Sequence, residues 1–267
     1  MPARTDLVRD ERIVADLLLA RRGTAFFTRL VNDLSDEDLY RPSGLPGWTR
    51  AHVLAHIGYN ARALSNVVAH AHLGENVDMY PSRAFRDNQI DFGATLNPTA
   101  LRNLHFHALV HLNVEWRDLP EESWGQEFTT LTGDQVAVAK TPWTRAREVW
   151  VHAVDLGNGG RFRQFPIPVI ERIFREAVER VAPANPRAEG EAPVTVVPLD
   201  RPDLAAQLGA ASSADNGPGA LTVEGTLADL TQWITGRGAL DLKVFRTDES
   251  GKHRISAPLP TLGSWLG

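Results

Sequence analysis

Four stretches of helical period within the first 157 residues constrain this chain more than any other feature of it. Apolar positions recur at that spacing from about Leu7 to Leu34, and the turn-rich DLSDEDLYRPSGLPG then breaks the run. A second helix is predicted in SGLPGWTRAHVLAHIGYNARALSNVVAHAHLG, starting just after Pro46-Gly47 and stopping at the final glycine, as helices commonly do. NPTALRNLHFHALVHLNVEWRDL opens on Asn-Pro, a start compatible with a helix, and carries Leu101, Leu104, Ala108, Val110 and Leu112 behind it. EFTTLTGDQVAVAKT reads as a small hairpin or extended loop, and PWTRAREVWVHAVDLG supplies the fourth helix. Together these imply an N-terminal four-helix bundle, a scaffold whose sites are built from side chains that face inward from different helices.

The pattern changes after DLGNGGRF. PIPVIERIFREAVERVA reads as a further helix and NPRAEGEAP as a linker. VTVVPL, ALTVEG and DLKVF read as short β-rich runs, with the helical LADLTQWITGRG between the last two. The expected organisation is a helical bundle over residues 1–160 and a smaller C-terminal α/β domain over residues 161–267. AAQLGAASSADNGPG is either a connection or the place of a short helix. There is no internal repeat, phosphate-cradling glycine loop or serine nucleophile elbow.

Composition excludes several functions. Hydrophobic residues make up 43% and charged residues 23%, and a formal charge of −5 comes without runs of one sign, so neither a nucleic-acid groove nor a membrane-binding face is expected. The N-terminal MPARTDLVRDERIVADLLLARRG interrupts its apolar residues with Arg, Asp and Glu, unlike a secretory signal, and a cytoplasmic location is the expectation. No sustained heptad argues for assembly, which leaves a monomer as the default. Cysteine is absent, so the chain has no disulfide, thiol nucleophile or thiolate ligand of its own.

The fourth helix concentrates the chemistry. At about 100° per residue, Val149, Trp150, Val151, Ala153, Val154 and Leu156 cover most of its surface and leave a narrow sector holding Glu148, His152 and Asp155. That sector either faces water or is buried with partners, because burying an unpaired charge is expensive. The second helix has His52 and His56 four residues apart. His56 borders the apolar stripe of Leu54, Ile57, Ala61, Leu64 and Val68 at roughly 100° from its centre, whereas His52 lies at roughly 140°, farther toward solvent. Two imidazoles and a carboxylate, His56, Glu148 and His152, form a three-ligand set suited to a divalent ion such as zinc, with positions left open for water or substrate. Asp155 is either a fourth ligand or an acceptor that orients a ligating imidazole. His70, His72, His105, His107 and His111 carry no such pattern, and the tryptophans at 48, 116, 143 and 150 read as packing.

The segments GWTRAHVLAHIGYNARAL, MYPSRAFRDNQIDFGATLNPTALRNLH, TRAREVWVHAVDLG and WITGRG resemble the mycothiol-dependent maleylpyruvate isomerases, members of the DinB-like superfamily of thiol-using metalloproteins. The likeness runs over most of the chain. It is long and specific in the bundle, and beyond the bundle it is convincing only around TGRG. The resemblance implies a DinB-like bundle with a divalent metal on His56, Glu148 and His152, the same three residues, and an active-site arginine from the C-terminal domain at Arg237. The stretch RTDESGKHRISAPLPTLGSW departs from the family pattern as a longer C-terminal region.

The activity implied by the resemblance is cis–trans isomerisation of maleylpyruvate to fumarylpyruvate in gentisate-type aromatic degradation, with mycothiol adding reversibly as a metal-bound thiolate. Arg237 would hold a carboxylate of the dicarboxylate substrate; its plain alternative is an arginine at a helix end, favoured there by the helix dipole. A mycothiol S-transferase acting on electrophiles, and a non-catalytic module binding a thiol or metabolite, are compatible with the same bundle.

Overall fold

The computed structural model describes residues 5–184, 194–208, 220–248, 250–262 and 265. The chain divides into two compact units, Met1–Gly160 and Arg161–Gly267.

The first unit is built on α1 (Glu11–Asn32), α2 (Arg50–His72), α3 (Arg83–Ala94), α4 (Pro98–Asp118) and α5 (Thr141–Asp155). Four of these start where a side chain takes an otherwise unpaired amide. Asp10 accepts from Arg12 and Ile13, Thr49 from His52, Ser82 from Phe85, and Asn97 from Ala100. The four long helices α1, α2, α4 and α5 lie where the hydrophobic spacing puts them, and α3 is an addition. Its sequence, RAFRDNQIDFGA, leaves Phe85 and Phe92 exposed and buries chiefly Ile90, so it has almost no apolar stripe to read.

Leu54, Ile57, Ala61, Leu64 and Val68 of α2 are buried, as the stripe implies. On α4 the inner face is Leu101, His105, Ala108, Leu112 and Trp116, and Val110 is exposed. Val110 lies two residues from both Ala108 and Leu112, hence about 200° round the helix from each. Helices α1 and α5 approach closely at Gly23, where a Cβ would come within 2.6 Å of the Trp150 Nε1 and the Val149 side chain. Trp150 stacks on Phe26 at 5.1 Å and donates from Nε1 to the Leu19 carbonyl at 3.1 Å. Gly93 plays the same part between α3 and α2, since a Cβ there would lie 2.7 Å from Ala55 Cβ. The segment before α5 is a small antiparallel hairpin of β1 (Glu127–Thr129) and β2 (Gln135–Ala137). Among the described residues no helix is long and apolar enough to cross a membrane.

The second unit holds α6 (Ile167–Ala184), β3 (Val194–Pro198), β4 (Ala206–Leu208), β5 (Leu221–Gly225), α7 (Leu227–Ile234), β6 (Lys243–Asp248) and β7 (Gly251–Ile255). The strands form one sheet in the order β4-β3-β5-β6-β7. Strands β3 and β5 are parallel, with Val194 opposite Leu221 and Pro198 opposite Gly225, and the other pairs are antiparallel. Strands β3, β5 and β6 are the three expected runs. Strand β4 stands where a connection or short helix was expected, and the rest of that stretch, 209–219, lies outside the described residues. In the C-terminal stretch, β7 pairs with β6. Asp229 is buried on α7 and held by two bonds of 2.8 Å from Arg163, a fork-to-carboxylate pair that fixes the start of that helix.

Candidate metal centre

Two helix ends set the position of the site. Helix α2 starts in a capping box: Thr49 Oγ1 accepts from the His52 amide at 3.4 Å, and His52 Nδ1 accepts from the Thr49 amide at 3.2 Å. Helix α5 begins with Thr141-Pro142 and stops at Gly157, whose φ of 62° suits glycine. Arg50, the first residue of α2, donates from Nε to the Leu156 carbonyl at 2.8 Å and from Nη2 to the Gly157 carbonyl at 3.2 Å. The Gly44 amide donates to the Asp155 carbonyl at 2.7 Å. The beginning of α2 and the last turn of α5 are thereby stapled, which fixes the register between residues 52–56 and 148–155.

His56, Glu148 and His152 converge within that register. Each offers one ligand atom, and the three atoms lie within 4.8 Å of one another. His56 Nε2 donates to Glu148 Oε2 at 2.9 Å, and His152 Nε2 lies 3.4 Å from the same oxygen. The two imidazoles meet edge to face, with centroids 4.7 Å apart. Asp155 stands behind: its Oδ2 accepts from His152 Nδ1 at 2.9 Å, which turns Nε2 toward Glu148. The sector of α5 that either faced water or was buried is turned inward, with Asp155 at 1% exposure, His152 at 7% and Glu148 partly buried. Two imidazole nitrogens and a carboxylate oxygen held this close are a donor set that fits a divalent cation.

The electrostatics separate the two histidines although both face the same carboxylate. Burial pushes the His56 imidazole down to about 4, with His152 and Arg86 nearby on the same side of the balance. Burial also opposes charge on His152, but acceptance by Asp155 and Glu148 outweighs it and raises that imidazole. The difference lies at the outer nitrogens. His152 Nδ1 meets a carboxylate, whereas His56 Nδ1 meets the guanidinium Nη2 of Arg86 at 3.5 Å. Burial pushes the Glu148 carboxyl up, yet the hydrogen bonds from His152 and His56 hold it well below the ordinary carboxylate range. Near neutral pH the site therefore offers the ionised Glu148 carboxylate and the neutral His56 imidazole, and a metal would compete with protons for the His152 nitrogen.

The remaining sequence candidates fall elsewhere. His52 is a cap, with Nδ1 2.7 Å from Thr49 Oγ1 and its ring stacked on Trp48 at 6.0 Å. Arg237 belongs to the second unit. It sits in the turn after α7 between Gly236 and Gly238, both at positive φ, and its Nη1 donates to the Thr235 carbonyl at 2.6 Å. Two arginines beside the histidines escaped the sequence reading. Arg86 reaches His56 from α3, and Arg147 Nη2 lies 3.9 Å from Glu148 Oε1. The neighbouring Glu148 was the only available signal for Arg147. For Arg86 the signal was a Ser82 cap with no hydrophobic stripe behind it.

Comparison with known proteins gives a consistent result. Residues 20–157 match the family described as the mycothiol maleylpyruvate isomerase N-terminal domain. Among solved structures, the chain is similar to the mycothiol-dependent maleylpyruvate isomerase, with 32% identity, a TM-score of 0.78, and coverage of 93% of this chain and 96% of that one. A histidine-to-alanine mutant of such an isomerase gives 31% identity, a TM-score of 0.79, and coverage of 95% and 97%. Among curated proteins there is no match.

Proposed function

This chain belongs to the mycothiol-dependent maleylpyruvate isomerase family, and from that premise we propose that it converts maleylpyruvate to fumarylpyruvate with mycothiol as a recycled thiol. The observation that carries the reading is the convergence of His56, Glu148 and His152 within 4.8 Å. Those three residues would hold a divalent ion, proposed to be zinc, which when bound favours the thiolate over the thiol and leaves room for it. The chain has no cysteine, so the sulfur must come from the cosubstrate.

The reaction balances without a redox partner. The sulfur lone pair forms a C–S bond at the carbon of the cis double bond that bears the carboxylate, and the π electrons move to the ketone as an enolate. The former double bond is then single and rotates. Collapse of the enolate restores the double bond in trans geometry and expels the thiolate. The protein's part is positional. Asp155 orients His152, the staple from Arg50 fixes the helix ends, and burial excludes bulk water from the thiolate. Arg237 is proposed to pair with a carboxylate of the substrate.

Purified protein loaded with one divalent metal and assayed with maleylpyruvate tests this directly. Isomerisation is expected only with mycothiol, with the thiol recovered unchanged. Full-rate turnover without thiol, or stoichiometric consumption of mycothiol, would overturn the reading. Arg237→Ala is expected to keep its metal while losing most of kcat/KM, and wild-type kinetics would remove Arg237 from the site.

A further inference from the structure

Arg86 stands beside the three converging side chains without an evident reason in terms of stability. It arrives on α3, docked against α2 at Gly93; its Nη1 donates to Asp87 Oδ1 at 2.7 Å, and its Nη2 reaches His56 Nδ1 at 3.5 Å. The Asp87 pair joins neighbours in sequence, with the carboxylate half exposed, and such pairs contribute little. A dication held by His56, Glu148 and His152 would repel this guanidinium. An anion brought between the two would be attracted by both charges. Arg147, on the other flank, faces Glu148 Oε1 at 3.9 Å, whereas Arg86 turns Nη1 to the half-exposed Asp87 carboxylate and Nη2 to the His56 imidazole.

Resting on the function proposed above, we infer that Arg86 binds the substrate carboxylate attached to the cis double bond. The chemistry places that group here. Sulfur adds to the carbon that carries this carboxylate, so the sulfur and the carboxyl carbon are each one bond from the same atom. A thiolate gathered at His56, Glu148 and His152 and a carboxylate gathered at the guanidinium beside His56 Nδ1 would be two anchors on one short S–C–C unit. With both held, that carbon stays fixed while the ketone-bearing remainder of the adduct swings about the new single bond. A planar guanidinium suits the task because it presents two parallel donors to one carboxylate.

Two measurements on the metal-loaded protein test the assignment. The first uses maleate, a dianion that keeps the cis double bond and its carboxylate, titrated without mycothiol so that binding is read apart from turnover. By calorimetric titration Arg86→Ala should bind maleate about 10- to 100-fold more weakly than wild type, with metal content and melting temperature unchanged, and Arg86→Lys should recover only part of the loss. Equal binding by wild type and Arg86→Ala overturns the inference, and so does loss of metal in the variant, which would make Arg86 a support for His56. The second measurement compares maleylpyruvate with its analogue in which the double-bond carboxylate is an amide. Arg86→Ala should lower kcat/KM for the acid and leave that for the amide nearly unchanged, and added guanidinium ion should partly restore the acid. Equal losses for acid and amide overturn the inference. A wild type that binds maleate through Arg86 yet fails to isomerise with mycothiol would instead defeat the proposed function alone.

Discussion

Two polar clusters are buried one turn apart between α2 and α5, and they differ in kind. Around Arg145, Nη1 donates to the Ile57 carbonyl at 2.7 Å and to Asn60 Oδ1 at 2.8 Å, and nearby His105 Nε2 lies 2.9 Å from Thr28 Oγ1. Around Glu148, two imidazole nitrogens and a carboxylate oxygen that can each ligate a cation lie within 4.8 Å of one another. Both clusters are buried, and in both burial moves the ionisation. It pushes the Arg145 guanidinium down to about 10, and with Arg145 close by it pushes His105 down to about 3. The Arg145 cluster nonetheless sets donors against neutral acceptors and presents no converging set of lone pairs. A buried polar group marks a rigid core as readily as a site; convergence of donor atoms distinguishes the second.

The sharpest way to break this contrast is Glu148→Ala. It should abolish metal retention and lower turnover on the order of a thousand-fold while the fold persists, as read by elemental analysis and kinetics. A full equivalent of tightly held metal in that variant would erase the distinction between the clusters. Next in size is Arg145→Met, which strands the Ile57 carbonyl and Asn60 in the core. Denaturant unfolding should show a loss of roughly 3 kcal/mol, with metal content per folded molecule unchanged, placing Arg145 on the structural side of the divide.

Two smaller substitutions sharpen the comparison. Asp155→Asn keeps the shape but weakens acceptance from His152 Nδ1, so metal affinity should fall about 10- to 100-fold in a chelator competition, with little change in unfolding midpoint. His52→Ala should cost about 1 kcal/mol through the lost cap and leave metal affinity as it was. That outcome separates two histidines which sequence spacing places on one helix face, His52 and His56.

The four long helices were legible because their hydrophobic faces are continuous, and spacing put His56 at the border of such a face and Glu148 and His152 in one narrow sector, whose burial it left open. On α4 the apolar residues Leu101, Leu104, Ala108, Val110 and Leu112 marked a helix but not its inner face, which includes His105 and leaves Val110 exposed. Helix α3 was not legible, since two of its three phenylalanine and isoleucine side chains face solvent. Arg86 was lost with it, because a residue's approach to a site cannot be inferred when the element carrying it is not seen. Strands β4 and β7 were missed because β4 has only three residues and β7 buries none of its side chains fully. The cap made by His52 left no trace either, since Thr-x-x-His is a rare form of the capping box.

The staple from Arg50 to the last turn of α5 bears on time and not only on shape. Helix ends fray, opening and closing at almost no cost in free energy, and His152 and Asp155 both belong to such an end. Arg50 Nε and Nη2 tie the Leu156 and Gly157 carbonyls to the start of α2, and the Gly44 amide ties that of Asp155. Unwinding that turn therefore requires three contacts to a second helix and its preceding loop to be surrendered at once. The last turn of α5 joins the slowest-opening part of the bundle, and its amide protons should exchange with solvent at the pace of the core, so that the orientation of His152 persists far longer than its place in the helix would allow.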